Sequence, residues 1–202
     1  MTPTETQQTM PTASNDLKAR AGDIPETGLQ RIALTGFMGA GKSTIGRLLA
    51  NRLGWAFLDL DALLEARAGL TGPEIFAAQG EDHFRRLESS ALATALGRRQ
   101  VVLALGGGTP EILTNRLLLE QTPATTTIFL DAPFPVLFDR CVLQAIARPV
   151  LADPVLAQSR FDLRLPLYRR LAQHTIDTSS RTPQETVEHI AIHLRESTVK
   201  SS

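Results

Sequence analysis

Cysteine occurs once in the 202 residues, as Cys141, which excludes an internal disulfide framework and leaves nothing from which to build a Cys/His metal cluster. An excess charge of either sign is missing too. Lys and Arg number 21 against 21 Asp and Glu, for a formal net charge of zero, so no global field draws the chain to nucleic acid or an anionic membrane, and neither is expected as a partner. No apolar run approaches the roughly 18 residues that a membrane span needs. The N-terminus has no basic n-region followed by an apolar stretch, so no secretory leader is expected and the cytoplasm is the expected compartment. No internal repeat is visible. Lysine is scarce: of the 21 basic residues only Lys18, Lys42 and Lys200 are lysines. Genomic bias toward arginine accounts for most of this, but not for the placement of the single body lysine, Lys42, in a glycine-rich loop.

What is present reads as one domain. Hydrophobic content of 43% and charged content of 21% are those of a soluble globular chain, long enough to bury a sizeable core. Residues 1–28 are polar and aperiodic and are expected to be a disordered tail, as is 197–202. Between them, in 29–196, short apolar strands alternate with helical patterns, the signature of βαβ units and a parallel sheet. Strands are expected near 31–35, 55–58, 101–105, 127–130 and 174–177. Helices are expected over 42–53, 61–68, 72–79, 81–96, 111–121, from 133 onward, to about 172, and after Thr182. There Thr182-Pro183-Gln184-Glu185 makes a capping box with proline at the first helical position.

Gly36-Phe37-Met38-Gly39-Ala40-Gly41-Lys42-Ser43 matches the phosphate-loop pattern G-x-x-x-x-G-K-[ST] in full. Glycines let consecutive N–H groups curl around phosphate oxygens at a helix N-terminus, whose dipole also favours anions. Lys42 then reaches the β- and γ-phosphates, the Ser43 hydroxyl serves Mg²⁺, and Gly39, Ala40, Gly41 and Thr44 complete the ATP cradle. With glycine at about 7% of an average chain, such a match arises by chance in on the order of one chain per hundred. Here a strand precedes and an amphipathic helix follows. The expected fold is therefore an α/β, P-loop NTPase-type three-layer sandwich, with a five-stranded parallel sheet flanked by helices and a mobile lid at about 140–153.

The loop alone does not choose among kinases, GTPases and motors. No Asn-Lys-x-Asp guanine motif occurs, which weighs against a GTPase. Asp59 and Asp61 close the second strand, and their spacing of two puts both carboxylates on one side if the chain stays extended there. The competing reading is that Asp61 caps a helix.

Six segments occur in the order and approximate spacing of shikimate kinases: Gly36 to Gly46, Asp59-x-Asp61, Phe84-Arg85-x-x-Glu88, Gly106-Gly107-Gly108, Arg148-Pro149 and Arg164-x-Pro166-Leu167-Tyr168. Residues 31–195 thus resemble that family throughout. The resemblance implies transfer of the ATP γ-phosphate to a hydroxyl of shikimate, a small carboxylated polyol, with Mg²⁺, in aromatic amino acid biosynthesis, and a monomer is expected. It also implies roles. Asp61 holds substrate hydroxyls and is the candidate base, Asp59 binds Mg²⁺ through water, and Arg85 and Arg164 grip the substrate carboxylate. Gly107 adds backbone contacts, Glu88 orients Arg85, Phe76 and Phe84 wall the ring pocket, and the lid residue Arg148 touches the transferring phosphate. Chemistry alone agrees on the type of residue needed. A guanidinium fork matches a carboxylate bidentately, a carboxylate accepts from hydroxyls, and Arg85 and Glu88 are three apart on a helix face.

The lid departs from the family pattern. Cys141-Val142-Leu143-Gln144-Ala145-Ile146-Ala147 is nearly all apolar and about one residue longer, which suits a helix extension or, alternatively, an interaction surface. Either Arg140 or Arg181 is expected beside adenine, with Pro183 lining that pocket. Rival readings are another small-metabolite kinase such as gluconate kinase, a nucleoside monophosphate kinase, or a non-catalytic ligand-binding module. Degenerate Lys42, Ser43 or Asp61 would mark the last of these, and all three are present.

Overall fold

The computed structural model describes residues 28–143 and 153–199. Five strands, β1 (Arg31–Thr35), β2 (Ala56–Asp59), β3 (Val101–Ala104), β4 (Thr125–Asp131) and β5 (His174–Asp177), form one sheet in the order β2-β3-β1-β4-β5. Every pairing is parallel. The helices are α1 (Lys42–Leu53), α2 (Leu60–Ala68), α3 (Gly72–Leu96), α4 (Leu113–Gln121), α5 (Phe134–Leu143), α6 (Pro154–Leu171) and α7 (Pro183–Val199).

Strand alternation builds two cores, one on each face of the sheet. Ile32, Leu34 and Val102 face a cluster with Ile45 and Leu49 of α1 and Ile190 of α7. Ala33, Val101 and Leu103 face Leu64 of α2, Leu92 of α3 and Leu119 of α4. Both faces are therefore covered, which is why β3 reads as an unbroken apolar run and why the layers number three. β1 lies between β3 and β4, so the chain leaves it at the point where strand order reverses, and ligands of open α/β sheets bind in the crevice there. Register places Leu34, Ala104 and Asp59 at one level, so the segments that follow β1, β2 and β3 emerge side by side.

Several expectations are adjusted. The two helical patterns at 72–79 and 81–96 are one element, α3, broken at Gly80, whose φ of 78° and ψ of 172° are not helical. α7 runs to Val199, past the expected tail boundary at 197, because no Gly or Pro interrupts 196–199 and each added residue extends an existing hydrogen-bond ladder. α5 continues through Leu143, so the first residues of the expected lid are helical, with Leu143 and Val142 largely exposed. Residues 144–152 of that segment, Arg148 among them, lie outside the described residues, as does the expected N-terminal tail up to residue 27.

Candidate active site

The loop between β1 and α1 is anchored from below by Phe37. Its ring is buried and meets Phe161 edge-on at 5.4 Å and Phe134 at 6.2 Å. Gly41 occupies the N-cap of α1 with φ 86°, so the helix begins with no side-chain cap and no acidic residue in its first turn. The opening amides of Lys42, Ser43 and Thr44 are therefore left for an incoming anion. Lys42 Nζ donates to the loop's own carbonyls, Gly36 O at 2.8 Å and Phe37 O at 2.9 Å. This keeps the ammonium folded over the cradle that the pattern assigns to phosphate.

Ser43 Oγ donates to Asp59 Oδ2 at 2.5 Å. A hydroxyl and a carboxylate, both hard oxygen donors, thus meet at the mouth of the loop, which fits Mg²⁺. Among the described residues no group of three or more His, Cys, Asp or Glu gathers to hold a metal. An ion here would have to take its remaining ligands from water and phosphate, as Mg²⁺ does with nucleotides.

The two aspartates do not lie along an extended strand. Asp59 is itself the N-cap of α2, accepting from Ala62 N at 3.4 Å, and the helix starts at Leu60. Asp61 is consequently inside the first turn and is not the cap. Helical geometry separates the pair: Asp59 turns to Ser43, whereas Asp61 turns to the glycine run after β3. A Cβ on Gly106 would lie 2.7 Å from Asp61 Oδ1, 2.9 Å from Glu88 Oε1 and 3.0 Å from Thr109 Oγ1. Gly106 is glycine because those three side chains press against its backbone.

Arg85 and Glu88 pair across one turn of α3, with Nη1 donating to Oε2 at 3.0 Å. Glu88 is 1% exposed, and its other oxygen accepts from Thr109 Oγ1 at 2.7 Å. Burial raises the Glu88 pKa, against the opposing pull of Thr109 and Arg85. Burial also acts to lower the Arg85 pKa, but Glu88, Glu111 and Glu81 together outweigh it and the net direction is upward. On α6, Arg164 is buried while Arg160, Arg169 and Arg170 are exposed. The one inward arginine of that helix is thus the one the motif singled out. A Cβ on Gly107 would sit 3.5 Å from Arg164 Nη1, 3.7 Å from the Tyr168 hydroxyl and 3.9 Å from Gly36 O. Gly107 is the point where the arginine side meets the phosphate loop. Phe76 and Phe84 approach with centroids 6.0 Å apart beside Arg85.

Lys42, Ser43, Asp59, Asp61, Arg85, Gly107 and Arg164 therefore share one rim of the sheet. The two adenine-side candidates share another place. Arg140 donates to Thr178 O at 2.5 Å and Arg181 to Asp177 O at 2.6 Å, at the C-terminal end of β5 and the residue after it.

Three participants were not foreseen. Tyr168, within a quoted motif but without a role there, donates its hydroxyl to Gly107 O at 2.6 Å, and burial pushes its phenol pKa far up. Thr109 holds Glu88. Glu111 bridges the two arginines: Arg164 Nε donates to Oε1 at 3.1 Å, Arg164 Nη2 to Oε2 at 3.2 Å, and Arg85 Nη2 to Oε2 at 2.8 Å. Thr109 and Glu111 lie in a short 3-10 turn, where no periodic pattern marks an inward residue. The one available signal was an acid soon after the glycine run.

Residues 38–195 match the family pattern described as shikimate kinase. The shikimate kinase of Symbiobacterium thermophilum is 42% identical over 169 residues, covering 82% of this chain and 96% of that protein. The solved shikimate kinase of Acinetobacter baumannii, in complex with shikimate, superposes with a TM-score of 0.75 at 36% identity, covering 80% of this chain and 90% of that one. A gluconokinase from Sinorhizobium meliloti, at 21% identity and a TM-score of 0.58, shares the fold alone. By pattern, identity and coverage, this chain belongs to the shikimate kinase family.

Proposed function

We propose that this protein transfers the γ-phosphate of ATP to a hydroxyl of shikimate, giving shikimate 3-phosphate and ADP for aromatic amino acid synthesis. The observation that carries the reading is the carboxylate-shaped fork of Arg85 and Arg164, which meets the phosphate loop at Gly107. A fork of this kind fits an acid, and its approach to the loop at Gly107 suits an acid whose hydroxyl reaches toward a terminal phosphate.

In this reading the loop amides receive the β- and γ-phosphates, and Lys42 leaves the Gly36 and Phe37 carbonyls to join them. Ser43 and Asp59 would hold Mg²⁺, which supplies positive charge to the phosphate oxygens. Arg85 and Arg164 fix the substrate carboxylate, with Glu88 and Thr109 holding Arg85 in its rotamer. Asp61 accepts the proton of the reacting hydroxyl, whose oxygen forms the new P–O bond as the bond to ADP breaks. The task is chiefly positioning and charge neutralisation, so a fork locked in place before binding contributes directly. Arg148 is retained from the resemblance as a further cation at the transferring phosphate. Arg140 and Arg181, both bonded to backbone carbonyls at the end of β5, remain the two alternatives for the adenine side. A monomer is kept as the expected working unit, and the need for ATP points to the cytoplasm. No helix among the described residues is long and apolar enough to cross a membrane.

The test is ADP release with shikimate, gluconate, quinate or water as acceptor. Shikimate should give the highest kcat/KM, with a phosphorylated product visible by mass spectrometry. Faster turnover of gluconate, or ADP release independent of acceptor, would overturn the reading. Asp61→Asn should keep ATP binding while turnover falls about 10²–10⁴-fold, the range for loss of a positioned acid–base group. Near-normal turnover would remove Asp61 from the chemistry.

A further inference from the structure

Two guanidinium groups at the fork face three carboxylates, Glu81, Glu88 and Glu111. Their situations differ. Glu88 is buried and held from its other side by Thr109, so it cannot leave. Glu81 touches only Arg85, at 3.3 Å, from an exposed position. Glu111 alone spans both arginines, taking the side-on edge of Arg164, Nε and Nη2, in a bidentate pair and sharing Oε2 with Arg85. That is the geometry in which a carboxylate ligand docks on a pair of arginines.

We propose that Glu111 is a specificity-determining residue that stands in for the substrate carboxylate, filling the fork when it is empty and swinging aside when an acid binds. The inference rests on the reading that Arg85 and Arg164 grip the substrate's carboxylate. Glu111 and an incoming carboxylate cannot share the fork as two anions, because like charges a few ångströms apart disfavour joint ionisation. Glu111 is the one able to yield. It ends a three-residue 3-10 turn, its side chain is 35% exposed, and a rotamer change carries it into water. Its backbone need not follow, since Arg116 Nη1 donates to Pro110 O at 2.5 Å and to Glu111 O at 3.1 Å and ties the turn down. Between turnovers the stand-in keeps the two guanidiniums together despite their mutual repulsion. The consequence is weaker binding of the acid by the fraction of molecules whose fork is open.

Removing the stand-in should therefore tighten the acid. For Glu111→Gln and Glu111→Ala, KM for shikimate is expected to fall about three- to tenfold, as when an open fraction of roughly a tenth to a third becomes the whole population. Most of the change should fall in KM rather than kcat, with KM for ATP little moved. Acetate or benzoate should also become a stronger competitive inhibitor of both variants. A shikimate KM that rises or stays level in both variants overturns the proposal, showing that Glu111 only braces the arginines or does nothing there. Arg85→Lys, measured in parallel, separates the two readings. If it leaves shikimate KM unchanged, the fork is not the seat of the acid and both readings fall. If it raises KM while the Glu111 variants stay level, only the stand-in falls.

Discussion

Gly108 shows how a single missing methyl group shapes the site. Its φ of −95° and ψ of −5° suit any residue, so conformation does not require glycine there. Space does. A Cβ would lie 2.6 Å from Arg85 Nη1, 2.8 Å from Nη2 and 2.7 Å from Glu111 Oε2. Gly108→Ala should therefore push the Arg85 fork out of place while the chain folds normally. The expected result is a rise in shikimate KM of about tenfold, equivalent to about 1.4 kcal/mol of lost binding, with little change in thermal midpoint. An unchanged KM would mean that the guanidinium does not need its present position. At this scale the sequence was informative about residue type. Lys42, Ser43 and the three glycines were legible because phosphate and close backbone approach impose those residue types locally. Glu111 was not, since its partner Arg164 is 53 positions away.

At the scale of the element, α3 depends on its break. Gly80 adopts φ 78° and ψ 172°, a region open essentially to glycine alone, and nothing lies within 4 Å of where its Cβ would be. The kink turns the Phe76 half toward the Phe84 half, so the two rings face each other beside Arg85. Gly80→Ala should cost about 1–3 kcal/mol from backbone strain alone, read as a lower denaturation midpoint with unchanged slope. An unaffected midpoint would show that the helix straightens without penalty. The same scale shows what pattern reading catches and misses. The capping box at α7 forms as the sequence indicated, with Thr182 N donating to Glu185 Oε2 at 2.8 Å and Glu185 N to Thr182 Oγ1 at 3.2 Å. The same pattern at Thr71 and Glu74 opens α3, where Glu74 Oε2 accepts from Thr71 N at 2.8 Å. One residue decides where α2 begins, and periodicity does not resolve one residue, so the sequence leaves open that Asp61 caps the helix where the structure uses Asp59.

Over the whole molecule, stability responds to acid partly through β5 and α7. Burial, and then the neighbouring charge of His193, lower the His174 pKa below its ordinary value of 6.5. His193 in turn stacks edge-on against His189 at 4.4 Å, and the pKa of the half-buried His189 is lowered in the same direction, by burial first and then by His193. A depressed histidine binds its proton more readily in the unfolded chain, so its contribution is present above about pH 6.5 and is lost as pH falls toward the folded value. The thermal midpoint should therefore drop as pH is lowered from about 7 to 5.5, and His174→Gln should flatten part of that drop. Parallel curves for the two proteins would remove His174 as a cause.

The strands, the phosphate loop, most helices and the parallel class were determined by the sequence itself, because alternation, capping and glycine spacing act between near neighbours. The tertiary structure decided which residues meet. It brought Arg85 of α3, Glu111 of a loop turn and Arg164 of α6 onto one fork, buried Glu88 against Thr109, and parted Asp59 from Asp61. Those contacts join segments far apart in the chain, and only the packing of helices onto the sheet sets the distances between them.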